Sequence, residues 1–130
     1  MKRLVLDLDG TITRDDATRG YADKEPNHDV VARIREYKAL GFTIVVHTAR
    51  SMRTFQNSVG LISAHTLPVI VDWLEAHDIP YDEIHVGKPW CGTEGFYVDD
   101  NAIRPREFVS LSFTEIRELL ESGMQGASSK

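Results

Sequence analysis

Apolar residues fall along the chain in short clusters whose spacing alternates between strand-like and helix-like. Leu4-Val5-Leu6 with Leu8 reads as a buried strand, stopped abruptly by Asp9-Gly10. Thr13 to Glu25 is rich in charge and poor in apolar residues, which predicts an ordered loop or flap. Pro26-Asn27 opens a helix with Val30, Val31, Ile34, Tyr37 and Leu40 at helical spacing and Gly41 as its left-handed C-cap. Phe42 to Val46 is aromatic and β-branched, a central strand with Thr48 at its end. Ser51 to His65 lacks a clean period and reads as a helix plus a long polar loop.

Thr66 to Ala76 predicts a second helix, with Thr66 as N-cap, Pro68 in the first turn, and Val69, Ile70, Trp73 and Leu74 inward. Ile84-His85-Val86 and Phe96-Tyr97-Val98 are two further short strands. Ser112 and Glu115 form a capping-box pattern ahead of Ile116, Leu119 and Leu120, a closing helix. The residues from Gly123 to Lys130 are small and polar, a flexible tail after a domain over 1–122.

Strands alternating with helices imply an α/β layer structure around a mostly parallel sheet. In such sheets ligands bind at the carboxyl ends of the strands. Asp7 and Asp9, Thr48, Lys88, and Asp99 with Asp100 all fall at or just past a predicted strand end. Four polar positions distant in sequence therefore converge on one sheet edge.

Composition narrows the classes. The 130 residues carry 15 Lys+Arg and 20 Asp+Glu, net −5, in proportions ordinary for one globular domain. The acidic balance disfavours nucleic acid and anionic membranes as general partners, since their binders carry basic surfaces. Cys91 is the only cysteine, so neither an intrachain disulfide nor a cysteine-based zinc cluster forms. With no leader-like start and no apolar run of about 20 residues, the expectation is a soluble cytoplasmic protein.

Asp7 and Asp9 flank an apolar Leu8, so an extended backbone aims both carboxylates to one side. Such crowding is costly unless a cation, a proton or hydrogen bonds compensate. A calcium-binding EF-hand loop is excluded, because Ile12 and Thr18 occupy its glycine and bidentate-glutamate positions. Two acidic clusters at one edge suit a hard divalent cation held by oxygens, Mg²⁺ by default. Lys88 beside them supplies a point charge for a phosphate, and the Thr48 hydroxyl with nearby backbone N–H groups, at Gly10 and Ala49, supplies donors.

Together these residues resemble the haloacid dehalogenase superfamily. Asp7-Leu8-Asp9-Gly10-Thr11 is similar to its first motif, and Thr48 in His47-Thr48-Ala49-Arg50 to its second. Lys88 is similar to the third and Asp99-Asp100 to the fourth, in the family's order. Gly87-Lys88-Pro89-Trp90-Cys91-Gly92 and Gly95 to Asp100 resemble small bacterial phosphatases of capsule or surface-polysaccharide biosynthesis. The resemblance implies a Rossmann-like three-layer sandwich and Mg²⁺-dependent phosphoryl transfer. Asp7 would be the nucleophile and Asp9 the general acid and base, protonated as substrate binds. Thr48 and Lys88 would hold the transferring group. The metal would take the Asp7 side chain, the Asp9 backbone carbonyl and Asp100, with Asp99 sharing that role or fixing Lys88.

The intervals from Asp9 to Thr48 and from Thr48 to Lys88 are each about 40 residues, already holding a helix, while a separately folded cap needs ~50 or more. An uncapped site must be enclosed by the Thr13–Glu25 flap, by the segment from Ser51 to His65, or by a second copy of the chain. Arg50, Arg53 and Trp90 flank the motifs and are candidates to recognise a sugar or polyol phosphate. The rival class is the two-component receiver domain, also α/β with an aspartyl-phosphate. Its phosphorylated Asp follows a middle strand, whereas here that strand ends in His47-Thr48 and an acid pair comes last. An open site also admits polynucleotide or protein phosphatase activity.

Overall fold

In a computed structural model of the chain, which describes residues 1–128, the β-branched run expected over Phe42–Val46 forms, from Thr43 onward, the middle strand of a three-stranded sheet. That strand, β2 (Thr43–His47), pairs in parallel with β1 (Arg3–Leu6) on one side and β3 (Glu83–His85) on the other. Leu6 lies opposite Val46, and His47 opposite His85, so the three strand ends are level. Ile44, Val45 and Val46 are all buried, as expected of a parallel strand covered on both faces. The Arg3 guanidinium reaches over β2 to Glu83 at 2.9 Å, and with His85 holds the Glu83 carboxyl down at about 2. The chain is thus α/β, with a parallel sheet and flanking helices.

Helix α1 (His28–Ala39) turns Val30, Val31, Ile34 and Tyr37 inward. Leu40, expected on that face, is exposed because the helix has ended there. Gly41, at φ 93°, takes the left-handed turn that glycine adopts without a Cβ penalty. The stretch expected to be irregular resolves into a run of turns followed by α2 (Val59–His65), whose N-cap hydroxyl, Ser58 Oγ, accepts from Leu61 N–H. Helix α3 (Leu67–Ala76) follows, with Ile70, Trp73 and Leu74 buried and Val69 half-buried. The Thr66 hydroxyl does not cap α3 as expected; it donates to Ser51 Oγ at 2.8 Å.

The chain divides into two compact units, Met1–Trp90 and Cys91–Lys130, where a single domain over 1–122 is expected. The second contains α4 (Pro105–Ser110) and α5 (Phe113–Ser128). The capping box predicted ahead of α5 forms: Ser112 N–H donates to Glu115 Oε1 and Glu115 N–H to Ser112 Oγ. Ile116 is buried, while Leu119 is exposed. The tail expected from residue 123 is instead helical through Ser128, and residues 129–130 lie outside the described part. Helix α4 lies where the sequence pattern predicts no element, although Pro105 in its first turn and Glu107 accepting from Arg104 N–H are ordinary start signals.

Two expectations about strands fail. Phe96-Tyr97-Val98 forms no strand, and Phe96 and Val98 stand 79% and 88% exposed. Val5 in β1 is 57% exposed, so that strand is covered on one face only. Strand-forming residues declare a preference, but a neighbour must satisfy it. Among the described residues β1 has a sheet neighbour on one side only, β2. No single helix among them is long and apolar enough to cross a membrane.

Candidate active site

The first unit gathers its site at the carboxyl ends of the three strands. Asp7 leaves β1 in extended conformation, and Leu8 behind it is fully buried, which anchors the backbone between the two acids. One wide turn over Leu8–Ile12 follows, closed by Thr13 N–H donating to Leu8 O at 3.0 Å. Gly10 sits at φ 81° inside it, where a side chain would strain the backbone.

Thr48, past the end of β2, extends the ladder: its N–H donates to His85 O at 2.9 Å, and its carbonyl accepts from Lys88 N–H at 3.1 Å. The loops after β2 and β3 are thereby tied together. Gly87 is needed in that join, since it lies at φ 86° and a Cβ there would approach Val59 Cγ2 to 2.9 Å. The tie carries Lys88 Nζ to 3.8 Å from Asp7 Oδ1. Burial pushes the Asp7 carboxyl above its ordinary value; Lys88 pulls the other way, and Asp9 adds to the rise. His47, between Lys88 and His85, is held below the usual imidazole value by burial and then by those two groups.

The sequence-predicted residues divide by what the fold does with them. Asp7, Asp9, Thr48 and Lys88 all stand in the strand-end loops of the first unit. Thr48 is buried, and its hydroxyl oxygen accepts from Arg50 N–H at 3.0 Å. The Gly10 N–H, a candidate phosphate donor, is directed instead to Thr13 Oγ1 at 3.3 Å. Ala49 is half-buried, with its carbonyl accepting from Met52 N–H. Arg50 is no exposed specificity residue. Its side chain is 1% exposed and grips Asp9 with two hydrogen bonds, Nε to Oδ2 at 3.0 Å and Nη2 to Oδ1 at 2.8 Å. Arg53 and Trp90 are exposed, with the guanidinium carbon 5.7 Å from the ring centre.

Asp99 and Asp100 belong to the second unit, both exposed; Asp99 Oδ1 accepts from Asn101 N–H at 2.9 Å in a local turn. Among the described residues no three His, Cys, Asp or Glu side chains are gathered as a metal-binding group. Cys91 is a free thiol, and its carbonyl lies so close to Gly95 that a Cβ there would overlap it.

A residue missed by sequence reasoning is Tyr21. It lies on the flap, which is a closed loop: Arg14 N–H donates to Glu25 O at 2.8 Å and Asn27 N–H to Ile12 O at 2.8 Å. Trp73 Nε1 ties the flap to α3 through Lys24 O at 2.8 Å. From that support the Tyr21 ring centre lies 4.1 Å from Arg50 Cζ. A lone tyrosine in a charged loop carries no sequence signal for this contact.

The first unit is thus a parallel α/β unit with acids, a hydroxyl and a lysine at its strand ends. A crystal structure of a structural-genomics target from Vibrio cholerae is similar to it, with 53% identity over 94% of this chain and 98% of that one, and a TM-score of 0.91. The chain belongs to the same family as that protein. No family model matches the chain, and no curated protein matches it.

Proposed function

We propose that the protein is a Mg²⁺-dependent phosphatase of a small phosphate monoester, a sugar or polyol phosphate of the kind used in surface-polysaccharide synthesis. The observation that carries this reading is Lys88 Nζ at 3.8 Å from Asp7 Oδ1 at the strand ends. A carboxylate beside a fixed cation can face a phosphate dianion, because the cation offsets charge on both. Asp7 would attack phosphorus as the bond to the leaving oxygen breaks, giving an aspartyl-phosphate. Asp9 would protonate that oxygen, then take a proton from the water that hydrolyses the intermediate. Lys88 and Thr48 would hold the transferring group.

A desolvated carboxylate whose ionisation burial resists is a fitting oxygen donor for a hard cation. Asp7 and the Asp9 carbonyl would hold Mg²⁺ from this unit. When bound, the ion supplies charge neutralisation between the anionic nucleophile and the phosphate. The exposed Arg53–Trp90 pair supports a sugar-phosphate substrate, since an aromatic face with an adjacent guanidinium suits C–H and hydroxyl groups together. The single free cysteine is consistent with a reducing, cytoplasmic setting.

The test is phosphate release from a panel of sugar, polyol, nucleotide, oligonucleotide and phosphopeptide substrates, with Mg²⁺ and with excess chelator. We expect turnover on a sugar or polyol phosphate, falling at least ~100-fold on chelation and returning with Mg²⁺. Turnover indifferent to chelator overturns the metal role. Turnover confined to oligonucleotides or phosphopeptides overturns the substrate class, and a stable phosphoprotein without turnover favours a receiver-like switch.

Enclosure of the uncapped site is assigned, within the same proposal, to a homo-oligomer. Phe96 and Val98, at 79% and 88% exposure, are poor surface choices for a monomer. Sedimentation should give a dimer or larger species, and Val98→Asp should shift it toward monomer with loss of turnover. A wild-type monomer at assay concentration overturns this assignment.

A further inference from the structure

The phosphatase reading gives Arg50 no task, yet the fold invests heavily in it. Its side chain is 1% exposed, and its Nη1 is buried without a hydrogen-bond partner among the described residues. An unsatisfied buried donor costs roughly 1–3 kcal/mol, so a position that tolerates one is under some other requirement. What the guanidinium does make is a two-bond fork onto Asp9. On its face lies Tyr21, the ring centre 4.1 Å from Cζ.

We propose that Tyr21 and Arg50 are a positioning pair for Asp9, through which the flap does part of the work of the missing cap domain. The inference rests on the role given above to Asp9. A guanidinium fork is planar and rigid, so two bonds fix the plane of the carboxylate as well as its place. The stacked ring limits rotation of the guanidinium, so the orientation of Asp9 depends on where the flap holds Tyr21. The contacts also distinguish the two oxygens. Oδ1 is approached by Arg50 Nη2 at 2.8 Å and by Thr13 Oγ1 at 3.5 Å, whereas Oδ2 takes Arg50 Nε alone at 3.0 Å. Oδ2 therefore keeps a lone pair to carry the proton given to the leaving oxygen. Neither Tyr21 nor Arg50 need touch substrate.

Misplacing a general acid harms esters with poor leaving groups most, because good ones depart with little protonation. That is the readout. Phosphate release with Mg²⁺ would be measured for a series of aryl phosphates running from p-nitrophenyl to p-methoxyphenyl. Wild type should show a shallow dependence of kcat/KM on leaving-group basicity. Tyr21→Leu and Arg50→Lys should steepen it, losing roughly 10-fold more on the poorest leaving group than on p-nitrophenyl phosphate, a share of what general acid catalysis supplies. Tyr21→Phe, which retains the ring, should restore the wild-type slope. Because Tyr21 is on an exposed flap, its variants keep the test available if Arg50→Lys fails to fold. Equal losses across the series, or none, in Tyr21→Leu overturn the positioning pair while leaving the phosphatase reading intact. A wild type that releases phosphate from no member of the series or of the substrate panel overturns that reading, and the pair falls with it.

Discussion

Asp7→Asn should reduce phosphate release by about four orders of magnitude or more, the scale on which loss of a nucleophile is felt, equivalent to roughly 5.5 kcal/mol of barrier. The amide keeps the shape of the carboxylate but cannot form the acyl phosphate, so substrate binding should survive and phosphorylated protein should not accumulate. The same substitution should leave the fold at least as stable at neutral pH. Burial raises the Asp7 carboxyl above its ordinary value, so the folded state favours its protonated form. For an acid shifted upward, ionisation costs stability as pH rises past the unfolded value, and the cost is absent below it. Asn removes that cost. Its Tm should equal or exceed wild type at pH 7, with the advantage gone near pH 3. A variant that turns over normally sinks the nucleophile assignment. One that is inactive but much less stable than wild type would make its inactivity a folding defect.

The acids on which these expectations rest are legible in the chain itself, whereas the burial of Asp7 is not. Val30, Val31, Ile34 and Tyr37 at helical spacing, the β-branched strand expected over Phe42–Val46 and found one residue later at Thr43–His47, and the Ser112–Glu115 capping box are all local patterns. Long-range partners were not legible. Leu4-Val5-Leu6 and Phe96-Tyr97-Val98 both advertise strands, yet which edge each meets depends on residues far off in sequence. Val5 and Val98 are exposed accordingly. Periodicity likewise says which face of α1 turns inward, but not that the helix stops short of Leu40.

The same limit applies inside the site. Asp7, Asp9, Thr48 and Lys88 are legible as strand-end positions because each falls at or just past a predicted strand end, and a strand end is a local event. Arg50 reads from the sequence as a candidate for substrate recognition because it flanks a motif residue, while arginine is seldom buried without a partner. The partner is Asp9, 41 residues earlier. An acid pair too crowded to stand alone is a reason to seek a buried cation near a second motif. Nothing comparable points to Tyr21, whose place depends on the flap's own hydrogen bonds and on Trp73 beneath it.

Asp9→Asn should separate chemistry from binding. The variant should lose ~10²–10⁴ in kcat, the contribution usual for a general acid and base, with KM nearly unchanged. It differs from Asp7→Asn in what it does to the fold. Among the described residues Asp9 is the ionic partner of a guanidinium whose side chain is 1% exposed, and Asn offers it one oxygen and no charge. Removing one member of a fully buried pair costs about 3–5 kcal/mol. Here the Asp9 side chain is 33% exposed, so water can partly replace it and ~2 kcal/mol is the expected loss. A domain of this size should then melt roughly 10 °C lower. Asp9→Asn therefore lowers thermal stability where Asp7→Asn does not, while both suppress turnover. Kinetics of the Asp9 variant must be taken well below its melting temperature. A pure rise in KM would deny Asp9 the proton transfer, and an unchanged Tm would show that Arg50 draws little from the pair.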